Sequence, residues 1–139
     1  MLLYAARPST KDVDGFVLGG ARAEDVRAAA RRVAASLDLP DDWLNDGAKA
    51  YLHGVAPGDV VVDRPSLLVR ALAVHQLLAM KLSAWRDDVD IEDAALLLSR
   101  MAADKDDVWR AVEPFLIPGH ELKARYAFDD LWDARRGPA

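Results

Sequence analysis

The chain has 139 residues and a mass of 15.2 kDa, with 52% hydrophobic and 29% charged side chains, the makeup of one folded globule; disordered, collagenous and low-complexity architectures are excluded. Its 18 Lys+Arg against 23 Asp+Glu give a formal charge of −5 and a pI of about 5.1, so no overall field draws it to nucleic acid or anionic lipid. Cysteine is absent, which removes disulfides, thiolate nucleophiles, iron–sulfur clusters and Cys-ligated zinc and leaves oxygen and imidazole as metal donors.

The apolar run Leu2-Leu3-Tyr4-Ala5-Ala6 suits a buried strand, Pro8-Ser9-Thr10-Lys11 a turn, and the alternation in Asp12-Val13-Asp14-Gly15-Phe16-Val17-Leu18 a second strand with Val13 on the core side. Gly19-Gly20 reads as a strand exit; it lacks the further glycine of a dinucleotide loop and the Gly-Lys-Ser/Thr of a P-loop. Over residues 22–37 the apolar positions Val26, Ala30, Val33 and Leu37 recur at helical steps and predict one buried stripe. The opposite face carries Arg27, Arg31 and Arg32, a solvated face or a local basic surface for RNA.

Asp41-Asp42 ahead of Trp43-Leu44 predicts the cap of a short helix that packs Trp43, Leu44, Ala48, Tyr51 and Leu52 and closes at Gly54, Pro57 and Gly58. Asp59-Val60-Val61-Val62 and the run 67–74 predict two more strands about an Asp63-Arg64-Pro65-Ser66 turn, giving a sheet of three or four strands. Helical periodicity then covers 75–85, 91–103, 106–115 and 120–135. The expectation is a single α+β domain over 1–139, strand-rich over 1–74 and helical over 75–135.

Asp12 and Asp14 carry the first functional signal. In a strand, residues two apart share a face, so the two carboxylates project together and can chelate Mg²⁺, a hard cation that completes its octahedron with water and phosphate oxygen. A solvated strand face is the commoner meaning of Asp-x-Asp. The second signal is the stretch 77–93, where Lys81 on a mostly apolar helix either snorkels to the rim or points into a polar cleft. Asp90 is expected to cap a helix opening at Ile91, with Asp93 at its third position, and Arg86 lies near this acidic patch. His53, His75 and His120 have no metal-ligand spacing, and Trp43, Trp85, Trp109 and Trp132 sit in helical apolar patterns that suit a core better than a base-stacking platform.

Three blocks, Arg7-x-Ser9-Thr10-x-Asp12-Val13-Asp14, Leu39-Pro40 followed by Trp43-Leu44-Asn45-Asp46, and Leu78-x-Met80-Lys81-Leu82-x-Ala84-x-Arg86 followed by Asp90-x-x-Asp93, together resemble a bacterial nucleotidyltransferase-fold family. It is the small polymerase-β-like group similar to abortive-infection nucleotidyltransferase toxins, and the resemblance runs as far as residues 125–132. It implies a small mixed sheet followed by a C-terminal helical bundle, and Mg²⁺-dependent transfer of a nucleotidyl group from an NTP to an acceptor hydroxyl. By the same resemblance Asp12 and Asp14 are metal ligands, Arg7 and Thr10 support the loop or the phosphates, and Lys81 contacts phosphate or substrate. Asp90 and Asp93 become cleft-edge carboxylates, Arg86 a supporting cation, and Asp63 the nearest third carboxylate.

The family's opening strand and Gly-Gly or Gly-Ser loop have no counterpart, since Met1 stands only six residues before Arg7. A late start or a degenerate member with weak nucleotide binding and no measurable transfer is therefore expected. The alternative is a non-catalytic interaction module, such as a toxin–antitoxin component, whose uncovered sheet edge favours a homo-oligomer or a protein partner. No apolar run approaches the ~20 residues that cross a bilayer, and charges interrupt the stretch a signal peptide needs, so a cytoplasmic protein with no membrane contact is expected.

Overall fold

The computed structural model describes residues 12–135; the 2–6 segment, Arg7 and Thr10 lie outside them. The architecture is mixed α+β, with five α-helices and two separate two-stranded sheets among the described residues. The expected sheet of three or four strands is thus replaced by two ladders. The chain divides into two compact units between Ala50 and Tyr51, at a point that no shift in composition marks.

The first unit is built as strand, helix, strand. β1 (Val13–Asp14) pairs in parallel with β2 (Leu44–Asn45), Val13 opposite Leu44 and Asp14 opposite Asn45, and α1 (Ala23–Leu37) lies between them in sequence. A parallel pair needs such a crossover, because its strands run the same way. The strand expected over 12–18 is therefore two residues long, and Val13, expected in the core, is exposed. The helix expected to open at Trp43 gives way to β2 and a 3-10 helix, Gly47–Tyr51. Backbone pairing overrides the cap signal of Asp41-Asp42, since Val13 N–H donates to Trp43 O at 2.6 Å and Gly15 N–H to Asn45 O at 2.8 Å.

The buried stripe of α1 consists of Ala30 and Ala34, four apart, while Val33 and Leu37 are exposed. The predicted stripe of Val26, Ala30, Val33 and Leu37 is therefore rotated toward the smaller side chains. Trp43, half-buried, donates its indole N–H to Ala30 O at 2.9 Å.

The second unit holds the large core. β3 (Pro57–Arg64) and β4 (Leu67–Leu72) form an antiparallel hairpin, followed by α2 (Val74–Ala84), α3 (Asp88–Ser99), α4 (Lys105–Val112), a 3-10 turn (Glu113–Phe115) and α5 (Glu121–Ala134). Pro57 and Gly58, expected to close a helix, begin β3 instead. Asp63 and Arg64, expected in a turn, remain in the ladder opposite Leu68 and Leu67, so the turn is Pro65-Ser66. Leu78, Leu82, Leu97, Val108, Val112 and Phe128 are all fully buried, so every one of the four helices contributes to one core. Phe128 sits between Trp109 and Trp132 at ring separations of 5.3 and 5.8 Å, tilted as aromatic rings prefer.

Two helix starts differ from expectation for a stated reason. α3 begins one turn early because Asp87, not Asp90, is its cap: the Asp87 side chain accepts from Asp90 N–H at 3.0 Å. α4 begins at Lys105 because the Asp104 carboxylate accepts from Asp107 N–H at 2.8 Å.

Candidate functional site

The carboxylate pair of the first unit is positioned by the parallel ladder. Opposite Asp14, the chain leaves β2 at Asn45 and turns into the 3-10 helix, so that turn lies against the acids. Asn45 Nδ2 donates to Asp12 Oδ2 at 3.3 Å, and Ala48 N–H donates to Asp14 Oδ1 at 3.1 Å. Both carboxylates thus turn to the same Asn45–Ala48 segment, and each has one oxygen fixed by a neutral donor. Asn45 Oδ1 in turn accepts from Gly47 N–H at 2.9 Å. A Cβ on Gly47 would stand 3.1 Å from that same oxygen and 3.7 Å from Asp14 Oδ1, so glycine keeps the space beside the acids open.

A third acid, Asp46, is turned away into an ion pair. Lys49 and Arg27 hold it at 2.9 and 3.1 Å, and their hydrogen bonds, Lys49's first, keep its carboxyl below the ordinary carboxylate range. Among the described residues no group of three or more His, Asp or Glu side chains is arranged to hold a metal ion. Two carboxylates alone are nevertheless the usual protein share of a Mg²⁺–nucleotide site, where phosphates and water supply the remaining oxygens. The donor set and the space kept by Gly47 fit that ion.

In the second unit Lys81, Arg86, Asp90 and Asp93 come together. Lys81 Nζ lies 2.9 Å from Asp90 Oδ1 and 2.8 Å from Asp93 Oδ2, bridging α2 to α3. Asp90 also accepts from Arg86 Nε at 2.9 Å and from the Arg86 backbone N–H at 3.1 Å. Asp90 and Asp93 are buried, while Lys81 keeps a quarter of its side chain in solvent and Arg86 more than half. Burial pushes the Asp90 carboxyl up, yet the hydrogen bonds from Arg86 and Lys81 outweigh it and hold the group well below its ordinary range. The Arg86 guanidinium, raised further by Asp90, lies 5.4 Å over the Tyr51 ring.

Two cations and two acids make this cluster formally neutral. Its acids are inside because the cations come with them, as buried charge requires. An ammonium has three donors, so two carboxylates do not exhaust Lys81.

Asp63, in the second unit, is exposed in β3 opposite Leu68. Sequence reasoning passed over Gln76, which is fully buried in α2. Its amide donates to Gly54 O at 2.9 Å and accepts from Ala56 N–H, fixing the segment that leads into β3. The available signal was a single amide, beside His75, ahead of the apolar run 77–80 of α2. The roles of Gly47 and of the Ala48 amide had no signal, because they depend on the β1–β2 pairing.

Among the described residues no helix is long and apolar enough to cross a membrane. Compared with protein-family models, curated proteins and solved structures, the chain finds no match in any of the three.

Proposed function

We propose that the chain is a nucleotidyltransferase-like protein in which Asp12 and Asp14 hold Mg²⁺ together with the phosphates of a nucleoside triphosphate. The observation that supports this reading is the pair of carboxylates turned to one Asn45–Ala48 segment, with the neighbouring Asp46 neutralised by Arg27 and Lys49. Mg²⁺ bound there supplies charge neutralisation of the phosphates. The chain's own part is orientation: the Asn45 amide and the Ala48 N–H fix one oxygen of each acid, and Gly47 leaves room for the bound group.

The overall transfer forms a bond from an acceptor hydroxyl oxygen to the α-phosphorus and breaks the bond to the β-phosphate. Pyrophosphate leaves and the hydroxyl proton passes to solvent. Arg7 and Thr10, on the segment leading into β1, are the phosphate contacts that the sequence resemblance adds.

Calorimetric titration of each NTP with Mg²⁺ tests the reading. One NTP is expected to bind the wild-type chain, with affinity at least about tenfold weaker, roughly 1.4 kcal/mol, in Asp12→Asn and Asp14→Asn. Equal binding by wild type and both variants, or no binding of any NTP at millimolar concentration, overturns it. A second reading, a non-catalytic interaction module, is supported by the exposed apolar β3–β4 hairpin.

A further inference from the structure

The β3–β4 hairpin is the one sheet of the second unit, and its two strands pair only with each other among the described residues. Val60, Val61, Leu67, Leu68 and Val69 stand 45, 43, 54, 58 and 38% exposed, so apolar side chains face water along both strands. Exposed apolar sheet with open edges is a surface that another strand can extend.

The two edges differ. β3 begins with Pro57 and carries Asp59 and Asp63, and its pairing slips twice: three steps along β3, Pro57 to Val60, match two along β4, Leu72 to Arg70, and two, Val60 to Val62, match one, Arg70 to Val69. Each extra residue is on β3. Proline, charge and bulges are the devices that blunt an edge. β4 has none of them. It pairs residue by residue from Leu67 to Arg70, and its single charge, Arg70, reaches back across the ladder to Gly58 O at 3.1 Å.

We propose that β4 pairs antiparallel with β4 of a second copy of this chain, on a twofold axis through Val69, giving a closed four-stranded sheet across a dimer. Charge admits a second copy as the occupant and sets the register. The hairpin's Asp59, Asp63, Arg64 and Arg70 sum to zero in a chain whose formal charge is −5, so two copies meet at this surface without local repulsion. A twofold axis perpendicular to the sheet sets one residue opposite itself. Centred on Arg70, it would put two guanidiniums face to face, which is unfavourable. Centred on Val69, it sets Val69 opposite Val69, Leu68 opposite Arg70 and Leu67 opposite Ala71. The outer edges of the resulting sheet are the two bulged, acidic β3 strands, so growth stops at the dimer.

Sedimentation of the full chain over a concentration series, with the Val69→Lys and Val69→Glu variants, is the test. Wild type is expected to dimerise, and each variant alone to associate about tenfold or more weakly, because like charges then face each other on the axis. An equimolar mixture of the two variants is expected to recover the dimer, since an ammonium then faces a carboxylate. Only a register with position 69 opposite itself gives that rescue. A wild-type chain that stays monomeric, variants that dimerise like wild type, or a mixture no more associated than its components overturns the proposal. Should either variant melt as unfolded, Leu68→Lys replaces it. That change faces Asp63 within its own hairpin but Arg70 of the second copy, so the expected result is a folded monomer, and a wild-type-like dimer overturns the proposal.

Discussion

Acid pairs occur in both units of this molecule and do opposite things. Asp12 and Asp14 stand exposed at a short strand, two residues apart, each accepting a hydrogen bond from the Asn45–Ala48 segment. Asp90 and Asp93 stand buried on a helix, three apart, with cations on them. Asp14 lies in β1 and Asp12 just before it, and both turn to the Asn45–Ala48 segment; on α3 a helix's three-residue step puts Asp90 and Asp93 on one face. Shared partners relate the acids in each case, and the kind of partner decides the outcome. The Asn45 amide and the Ala48 N–H orient one oxygen of each exposed acid, whereas Lys81 and Arg86 cancel the charge of the buried pair and make it part of the packing between α2 and α3.

Removing the cation between the buried acids should break this contrast most severely. Lys81→Met keeps the stem that packs in α2 but removes the ammonium that Asp90 and Asp93 share, while Arg86 stays on Asp90. We expect a loss of about 3 kcal/mol at neutral pH, the low end for a broken buried pair because Lys81 is partly solvated. The pH dependence carries the sign. In the wild type Asp90 titrates below its unfolded value of about 3.9, so its contribution is complete above that pH and is lost as the pH falls through and below it. In the variant Asp90 takes up a proton more readily, so the stability gap should narrow as the pH falls toward about 4. Urea melts at several pH values measure it; a gap that is constant with pH, or absent, would show that the acids do not depend on Lys81.

The same contrast shows what the residues announce and what they withhold. α1, α2 and α5 were legible within a residue or two because their apolar positions follow the helical period, and β3 and β4 because Val60-Val61-Val62 and Leu67-Leu68-Val69 are flanked by turn formers. The parallel pairing of Val13 with Leu44 was not legible. It joins segments 31 positions apart (44 − 13), and two-residue strands have no periodicity to read. The cap of α3 was hidden by degeneracy: Asp87-Asp88-Val89-Asp90 and Asp90-Ile91-Glu92-Asp93 have the same Asp-x-x-Asp spacing. Lys81, on the preceding helix, decides between them by drawing Asp90 and Asp93 inward. Clustering of Lys81, Arg86, Asp90 and Asp93 was foreseeable from their proximity in sequence. That Lys81 would be bracketed by two buried carboxylates was not.

A smaller effect sharpens the assignment of the cap. Asp87→Ala removes the acceptor of the Asp90 N–H and should cost about 1 kcal/mol. Asp88→Ala, which replaces an exposed acid in the first turn with no cap bond, should cost less than half of that. Thermal melts of the two variants compare them directly, and equal losses would mean that the Asp87 bond adds nothing beyond first-turn charge.

The smallest stability effect belongs to the exposed acids, and there the smallness is informative. Asp12→Asn and Asp14→Asn preserve an oxygen acceptor for the Asn45 amide and the Ala48 N–H. Neither change empties a core, since both positions are exposed. Stability in the absence of divalent cation should therefore move by no more than about 0.5 kcal/mol. Mg²⁺ at millimolar concentration should raise the melting temperature of the wild type, by linkage to the folded state, and raise that of either variant less. If the variants melt far below wild type without Mg²⁺, the two acids are structural after all, and the first unit uses its carboxylates as the second does. If they melt with wild type and Mg²⁺ shifts all three alike, the pair is a solvated strand face. Only unchanged apo stability with a diminished Mg²⁺ shift distinguishes an acid pair that binds the ion from one that serves the fold.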